Sequence, residues 1–139
     1  MFVLDTNILS AMMLSDSVPE VATWIDGQDE ATLFTTSISY AEIFAGLAIM
    51  TDGRRRRALE TTARAMFDDF EGRILHFDID AATTYADLFA TRRKVGRPTA
   101  PLDLLIASIA RSQGAAMVTR NTADFLNCGL TLINPWMAA

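Results

Sequence analysis

Short runs of β-forming residues alternate along this chain with segments that have the hydrophobic period of a helix. Five runs are predicted to be strands, at residues 2–4, 32–36, 73–77, 115–119 and 130–133. Helix-length segments between successive strands indicate parallel strands joined by right-handed crossovers, with helices covering both faces. The pattern therefore predicts a three-layer α/β/α fold around a central, mainly parallel five-stranded sheet. Without a repeat or a long linker, residues 1–139 are expected to form one domain.

Three helix starts have recognisable signals in the sequence. The pair Ser39 and Glu42 fits a capping box, which predicts a helix over residues 39–50. Asp80 is predicted to cap a later helix that breaks at residues 96–98. Pro101 begins a helix that is apolar nearly all round, and such a helix is expected to be buried.

Composition excludes several classes of protein. No apolar run approaches the ~20 residues that a membrane span needs, so no membrane partner is expected. The first residues lack the basic region of a secretory signal. The single cysteine, Cys128, excludes an internal disulfide and any Cys-rich zinc site, and these features together predict a cytoplasmic protein.

Four carboxylates occupy positions that favour a common site. Asp5 follows the first predicted strand, Glu42 lies in the first turn after the second, and Asp124 lies just past the fourth. Ligands of open parallel sheets bind outside the carboxyl ends of the strands. Asp103, in the first turn of the most apolar helix, joins the other three if that helix begins at the same edge.

Each of these acids also has a structural role available to it. Asp5 can cap a helix, Glu42 can close a capping box, and Asp103 and Asp124 can complement helix dipoles. Gathered together, however, carboxylates repel by about 1 kcal/mol per pair at ~4 Å in water, and by more where solvent is excluded. A bound divalent cation would offset that repulsion, and oxygen ligands without Cys or His indicate Mg²⁺ or Mn²⁺.

An acidic Mg²⁺ site is suited to phosphoryl chemistry, because the cation polarises a phosphate and acidifies a bound water. Polar side chains near the same edge are candidates to position that water or the metal ligands. These candidates are Thr6, Asn7, Thr119 and Asn121.

Several short motifs occur in a fixed order along the chain. They are Leu4-Asp5-Thr6-Asn7, Ser39-x-x-Glu42, Pro101-Leu102-Asp103-x-x-Ile106-Ala107, Thr119-Arg120-Asn121-Thr122-x-Asp124-Phe125 and Asn134-Pro135-Trp136. This ordered set resembles the PIN-domain ribonucleases, specifically the VapC-type toxins of bacterial toxin–antitoxin pairs, including their FitB-like branch. The resemblance spans essentially the whole chain.

The resemblance implies an Mg²⁺-dependent endoribonuclease that cuts structured RNA such as tRNA or ribosomal RNA. It also implies a homodimer that is inhibited by a small antitoxin protein. By position, Asp5 and Asp103 resemble the principal metal ligands, and Glu42 and Asp124 complete the acidic ring. Asn121 stands where some relatives carry another acid, which leaves the number of ligands open.

A basic cluster precedes the Asp103 helix. Residues 91–100 contain four cations and no acid, although the net charge of the chain is −5. Arg92 and Arg97 in this cluster are candidates to bind RNA phosphates or the carboxylates of an antitoxin.

Other α/β folds require particular residues at fixed places, and this sequence can be checked for them. A receiver-type phospho-acceptor domain needs a lysine after a late strand, but Lys94 falls in a predicted helix and Arg120 follows the fourth strand. A haloacid-dehalogenase phosphatase needs a second Asp where Asn7 stands, and a dinucleotide-binding domain needs a Gly-rich turn, but the first glycine is Gly27. A catalytically silent scaffold that binds RNA or a partner stays open.

Overall fold

Five parallel strands form the centre of the molecule in the computed structural model, which describes residues 1–14 and 17–137. The strands are β1 (Phe2–Leu4), β2 (Leu33–Thr36), β3 (Ile74–Leu75), β4 (Ala116–Val118) and β5 (Leu132–Ile133). They lie in the order β3-β2-β1-β4-β5, and every neighbouring pair is parallel. The predicted α/β fold with a five-stranded parallel sheet is confirmed, although β2, β3, β4 and β5 are each shorter than predicted.

Within the described residues, six α-helices connect and cover the strands. They are α1 (Thr6–Met13), α2 (Pro19–Asp26), α3 (Ser37–Ala48), α4 (Arg54–Asp68), α5 (Ile79–Lys94) and α6 (Pro101–Ser112). Helices α1 to α4 bury side chains in one apolar cluster, and α5 and α6 bury theirs in another. Leu4 belongs to the first cluster and Val3 to the second, because successive strand residues point to opposite faces. The three layers follow from this alternation.

The order in which strands are added to the sheet reverses between β1 and β4. The chain adds β2 and β3 on one side of β1 and then crosses to add β4 on the other side. The carboxyl ends of β1 and β4 flank this reversal, which is where open α/β sheets bind ligands. The observed order also differs from the 2-1-3-4-5 order of receiver-type domains, so the receiver alternative is wrong for this chain.

Two predicted helix caps are wrong. Helix α3 begins at Ser37, two residues before the predicted start, and its cap is Thr36, whose hydroxyl accepts from the Ser39 amide at 3.1 Å. Thr36 pairs with Leu75 in the sheet, which holds Thr36 extended until the helix begins. Helix α5 is likewise capped by Asp78, which accepts from the Ala81 amide, whereas Asp80 lies in the first turn.

Helix α6 runs from the site edge of the sheet into the core. It ends just before β4, which is parallel to β1, so α6 begins near the carboxyl end of β1. Its buried residues, Leu104 and Ile106 to Ala110, confirm the burial predicted from its apolar surface. Over residues 1–14 and 17–137, no helix has both the length and the apolar character needed to cross a membrane.

Candidate functional site

Asp5 lies at the centre of a hydrogen-bond network at the carboxyl end of β1. The residue is only 2% exposed. Oδ1 accepts from the Thr6 amide at 2.8 Å, which makes Asp5 the cap of α1. Oδ2 accepts from the Thr119 hydroxyl at 2.8 Å and from the side-chain Nδ2 of Asn7 at 3.1 Å. Three donors therefore fix the direction of this carboxylate.

The pKa of Asp5 reflects opposing effects. Burial raises it above its ordinary value and is the largest cause, while the bonds from Thr119, Thr6 and Asn7 lower it and repulsion from Glu42 raises it further. The net direction is upward. The carboxylate is thus held in a geometry that suits its charged form but in surroundings that disfavour the charge.

Glu42 reaches the same edge from α3. The Thr6 hydroxyl donates to Glu42 Oε1 at 2.8 Å, and the Thr6 and Ser39 hydroxyl oxygens are 2.9 Å apart. Because the single Thr6 hydroxyl proton goes to Glu42, Ser39 is the donor to Thr6. Glu42 is therefore a side chain of the second turn that faces α1, not part of a capping box as the sequence suggested.

Asp103 lies in the first turn of α6 and is the most perturbed acid of the site. Burial is the largest cause that raises its pKa, to about 6, followed by repulsion from Asp5, Glu42 and Asp124. Its partners in this repulsion are the other three predicted acids, so the structure brings all four together. Within the described residues, none of the four forms an ion pair with Lys, Arg or His.

Asp124 is held at the edge by its backbone. It lies in a short 3-10 helix, Thr122–Phe125, and its carbonyl accepts from the buried Thr99 hydroxyl at 2.9 Å. Arg92 Nη1 donates to the carbonyl of Leu126, at the end of the same segment, at 2.8 Å. No motif of the sequence marks Thr99, because its role depends on a contact with a residue 25 positions away.

The predicted basic residues lie in different surroundings. Arg92 is only 4% exposed, and its Nε has no hydrogen-bond partner among the described residues. Arg97 is exposed in the loop between α5 and α6, and its amide donates to the Arg92 carbonyl. Arg92 is therefore placed to support the Asp124 segment, whereas Arg97 is accessible to a ligand.

The predicted polar side chains meet beside Asp5. Asn7 Nδ2 bridges Asp5 and Thr119, and Asn7 Oδ1 accepts from the Arg120 amide at 3.3 Å. The Thr119 hydroxyl accepts from the Asn121 amide at 3.1 Å. The exposed Asn121 thus bonds to this network through its backbone.

The residues at this edge fit a hard divalent cation in their chemistry. The carboxylates supply only oxygen ligands, and no cation of the described chain offsets the repulsion at Asp103. No group of three or more His, Cys, Asp or Glu within residues 1–14 and 17–137 is arranged to hold a metal ion. Mg²⁺ is commonly held by one or two carboxylates with water in the other positions, so two acids suffice.

Comparisons with known proteins agree with this fold. A PIN domain family model matches residues 2–127. The chain is 38% identical over 140 residues to VapC ribonuclease Y4jK of Sinorhizobium fredii, covering 100% of both proteins. It is 29% identical to toxin FitB of Neisseria gonorrhoeae, covering 98% of this chain and 99% of that protein.

A solved structure has the same fold as this chain. FitAB bound to an IR36 DNA fragment contains a chain that superposes with a TM-score of 0.92 at 28% identity, covering 100% of this chain and 98% of that one. The family model and these relatives each span nearly the whole chain. This protein therefore belongs to the PIN domain family, and along its full length it is similar to VapC and FitB members of that family.

Proposed function

We propose that this protein is an Mg²⁺- or Mn²⁺-dependent endoribonuclease, the toxin of a toxin–antitoxin pair, which cleaves structured RNA such as tRNA or ribosomal RNA. The observation that carries the proposal is Asp103, which lies among three other acids with no cationic partner in the described chain. The relatives named VapC ribonuclease and toxin FitB support the activity and the toxin role.

Asp5 and Asp103 are the residues proposed to hold the cation. Asp5 is directed by its three donors, and Asp103 is fixed by the buried residues that follow it in α6. When bound, the cation would polarise the scissile phosphate and acidify a water molecule.

Glu42 and Asp124 are proposed to handle the attacking water and its proton. Glu42 Oε1 accepts a hydrogen bond from the Thr6 hydroxyl. Oε2 has no hydrogen-bond partner among the described residues, so this oxygen is available to orient a water molecule. Asp124 is exposed, so its carboxylate can accept a proton and release it to solvent.

The proposed antitoxin partner is supported by the same relatives. We propose that an antitoxin protein binds this chain, because FitB carries the name toxin and was solved as FitAB. A homodimer is also proposed, and light scattering after size-exclusion chromatography tests it by giving twice the mass of 15.3 kDa.

The test of the nuclease uses antitoxin-free protein and total bacterial RNA with Mg²⁺. Discrete fragments should appear with the wild type, and both EDTA and Asp5→Asn should abolish them. Asp68→Asn, at the exposed end of α4, is the matched control and should cleave normally. RNA that stays intact but is bound would favour the silent scaffold, and cleavage that persists in EDTA would contradict the metal dependence.

A further inference from the structure

An arginine–tryptophan pair lies beside the acidic edge, and its two side chains have no role in the site described above. The guanidinium of Arg120 lies over the ring of Trp136, with its central carbon 4.9 Å from the ring centroid. Arg120 follows Thr119 at the end of β4, and Trp136 lies three residues beyond β5. Since β4 and β5 are parallel to β1, both residues lie at the carboxyl edge that Asp5 occupies.

One side chain holds the backbones of both partners. Asn134 Nδ2 donates to the Arg120 carbonyl at 3.3 Å, and Asn134 Oδ1 accepts from the Trp136 amide at 3.0 Å. On its other side, the Arg120 amide donates to Asn7 Oδ1, and Asn7 in turn donates to Asp5. The pair is thus tied through two short side chains to the carboxylate at the centre of the site.

Apart from its packing on Trp136, the Arg120 guanidinium makes no polar contact with the part of the chain that the structure describes. Arg120 is exposed, and within the described residues its side chain forms neither a hydrogen bond nor an ion pair. Arg73 and Arg92 differ, because their guanidinium groups donate to backbone carbonyls. Arg120 therefore presents five free N–H donors in a plane that the indole ring orients.

We infer that Arg120, held by Trp136 and Asn134, binds a backbone phosphate of the RNA strand next to the scissile phosphate. The inference rests on the proposed nuclease function. A polyanion that approaches four clustered carboxylates is repelled, and an oriented arginine beside them supplies the opposite charge in a geometry that matches phosphate oxygens. One face of the indole ring is covered by Arg120, which favours a phosphate ligand over a base stacked on that face.

The test measures RNA affinity in the cleavage-deficient Asp5→Asn protein, with bulk bacterial tRNA as the probe at constant Mg²⁺. Adding Arg120→Gln should raise Kd about tenfold and reduce the slope of log Kd against log[salt] by roughly 0.7 to 0.9. Arg120→Lys should keep the slope, because the charge remains. Trp136→Leu should raise Kd about threefold and also keep the slope, because the arginine remains but is no longer oriented.

Arg111→Gln is the matched control. Arg111 is an exposed arginine in the last turn of α6, at the opposite edge of the sheet, and its removal should change neither Kd nor slope. In the active protein, Arg120→Gln should raise KM with little change in kcat. Equal affinities and slopes for Arg120→Gln and Arg111→Gln would overturn the phosphate role, whereas failure of the wild type to cleave RNA would overturn the nuclease proposal itself.

Discussion

Replacing Asp103 with asparagine should stabilise the folded protein at neutral pH while it abolishes RNA cleavage. Burial and the three neighbouring acids raise the pKa of Asp103 from 3.8 to about 6, so the folded state disfavours its charged form. Asparagine has nearly the same shape and carries no charge. The substitution removes the repulsion but also removes a proposed metal ligand.

The sign and size of the effect follow from linkage. The pKa is higher in the folded state than in the unfolded chain, so folding takes up protons between pH 4 and 6. The free energy of unfolding therefore falls as the pH rises through this window. Above the window Asp103 is ionised and the full loss of stability is reached. The shift corresponds to roughly 3 kcal/mol at 1.36 kcal/mol per unit, which partial exposure to solvent reduces to about 1 kcal/mol.

Urea denaturation in EDTA at pH 4 and pH 8 measures this difference. We expect Asp103→Asn to be more stable than the wild type by about 1 kcal/mol at pH 8, and the gain to shrink towards zero at pH 4. Asp80→Asn is a matched control, because Asp80 also lies in the first turn of a helix but is exposed. Its loss should destabilise the protein slightly at pH 8, since an acid near a helix N-terminus normally stabilises the helix.

Adding Mg²⁺ at pH 8 provides a second measure. The wild type should gain stability because the cation offsets the repulsion, and Asp103→Asn should gain much less. Two results would refute the reasoning: an asparagine variant that is less stable than the wild type at pH 8, or a stability difference that is the same at both pH values.

Substitutions at three other positions test the network around the acids. Asp5→Asn should reduce cleavage at least a hundredfold in a single-turnover assay, because a directed metal ligand is lost. Thr6→Val removes the donor to Glu42 and should lower kcat about tenfold, whereas Thr6→Ser keeps the hydroxyl and should restore activity. Thr99→Val removes the bond to the Asp124 carbonyl and should lower kcat several-fold with a changed pH profile, and an unaltered profile would contradict a positioning role.

The sheet and the edge position of three acids could be predicted from the sequence, because both depend on local patterns. Each predicted strand is a short β-forming run, and in a parallel sheet the residue after a strand must lie at its carboxyl edge. Asp5 follows from this rule alone. Placing Asp103 at the same edge also requires the direction of α6. That direction is fixed only when β4 is known to be parallel to β1.

The caps of α3 and α5 and the supporting contacts could not be predicted in this way. Thr36, Ser37 and Ser39 are all good capping residues, and the choice of Thr36 depends on its pairing with Leu75 in β3, distant in sequence. The Thr99 contact with Asp124 and the pairing of Arg120 with Trp136 similarly join separate elements.

The packing of helix α6 explains why Asp103 does not move away from the other acids. Asp103 is followed at once by Leu104, which is buried, and then by a run of buried residues that fixes the helix against β4 and α5. Rotating or withdrawing the first turn would expose Leu104, at a cost of about 1.5 to 3 kcal/mol for a side chain of that type. That cost exceeds the roughly 1 kcal/mol by which burial and repulsion together disfavour the charge of Asp103 after screening. The carboxylate therefore stays where its charge is disfavoured, and truncating Leu104 to alanine should lower the pKa of Asp103 as well as the stability of the fold.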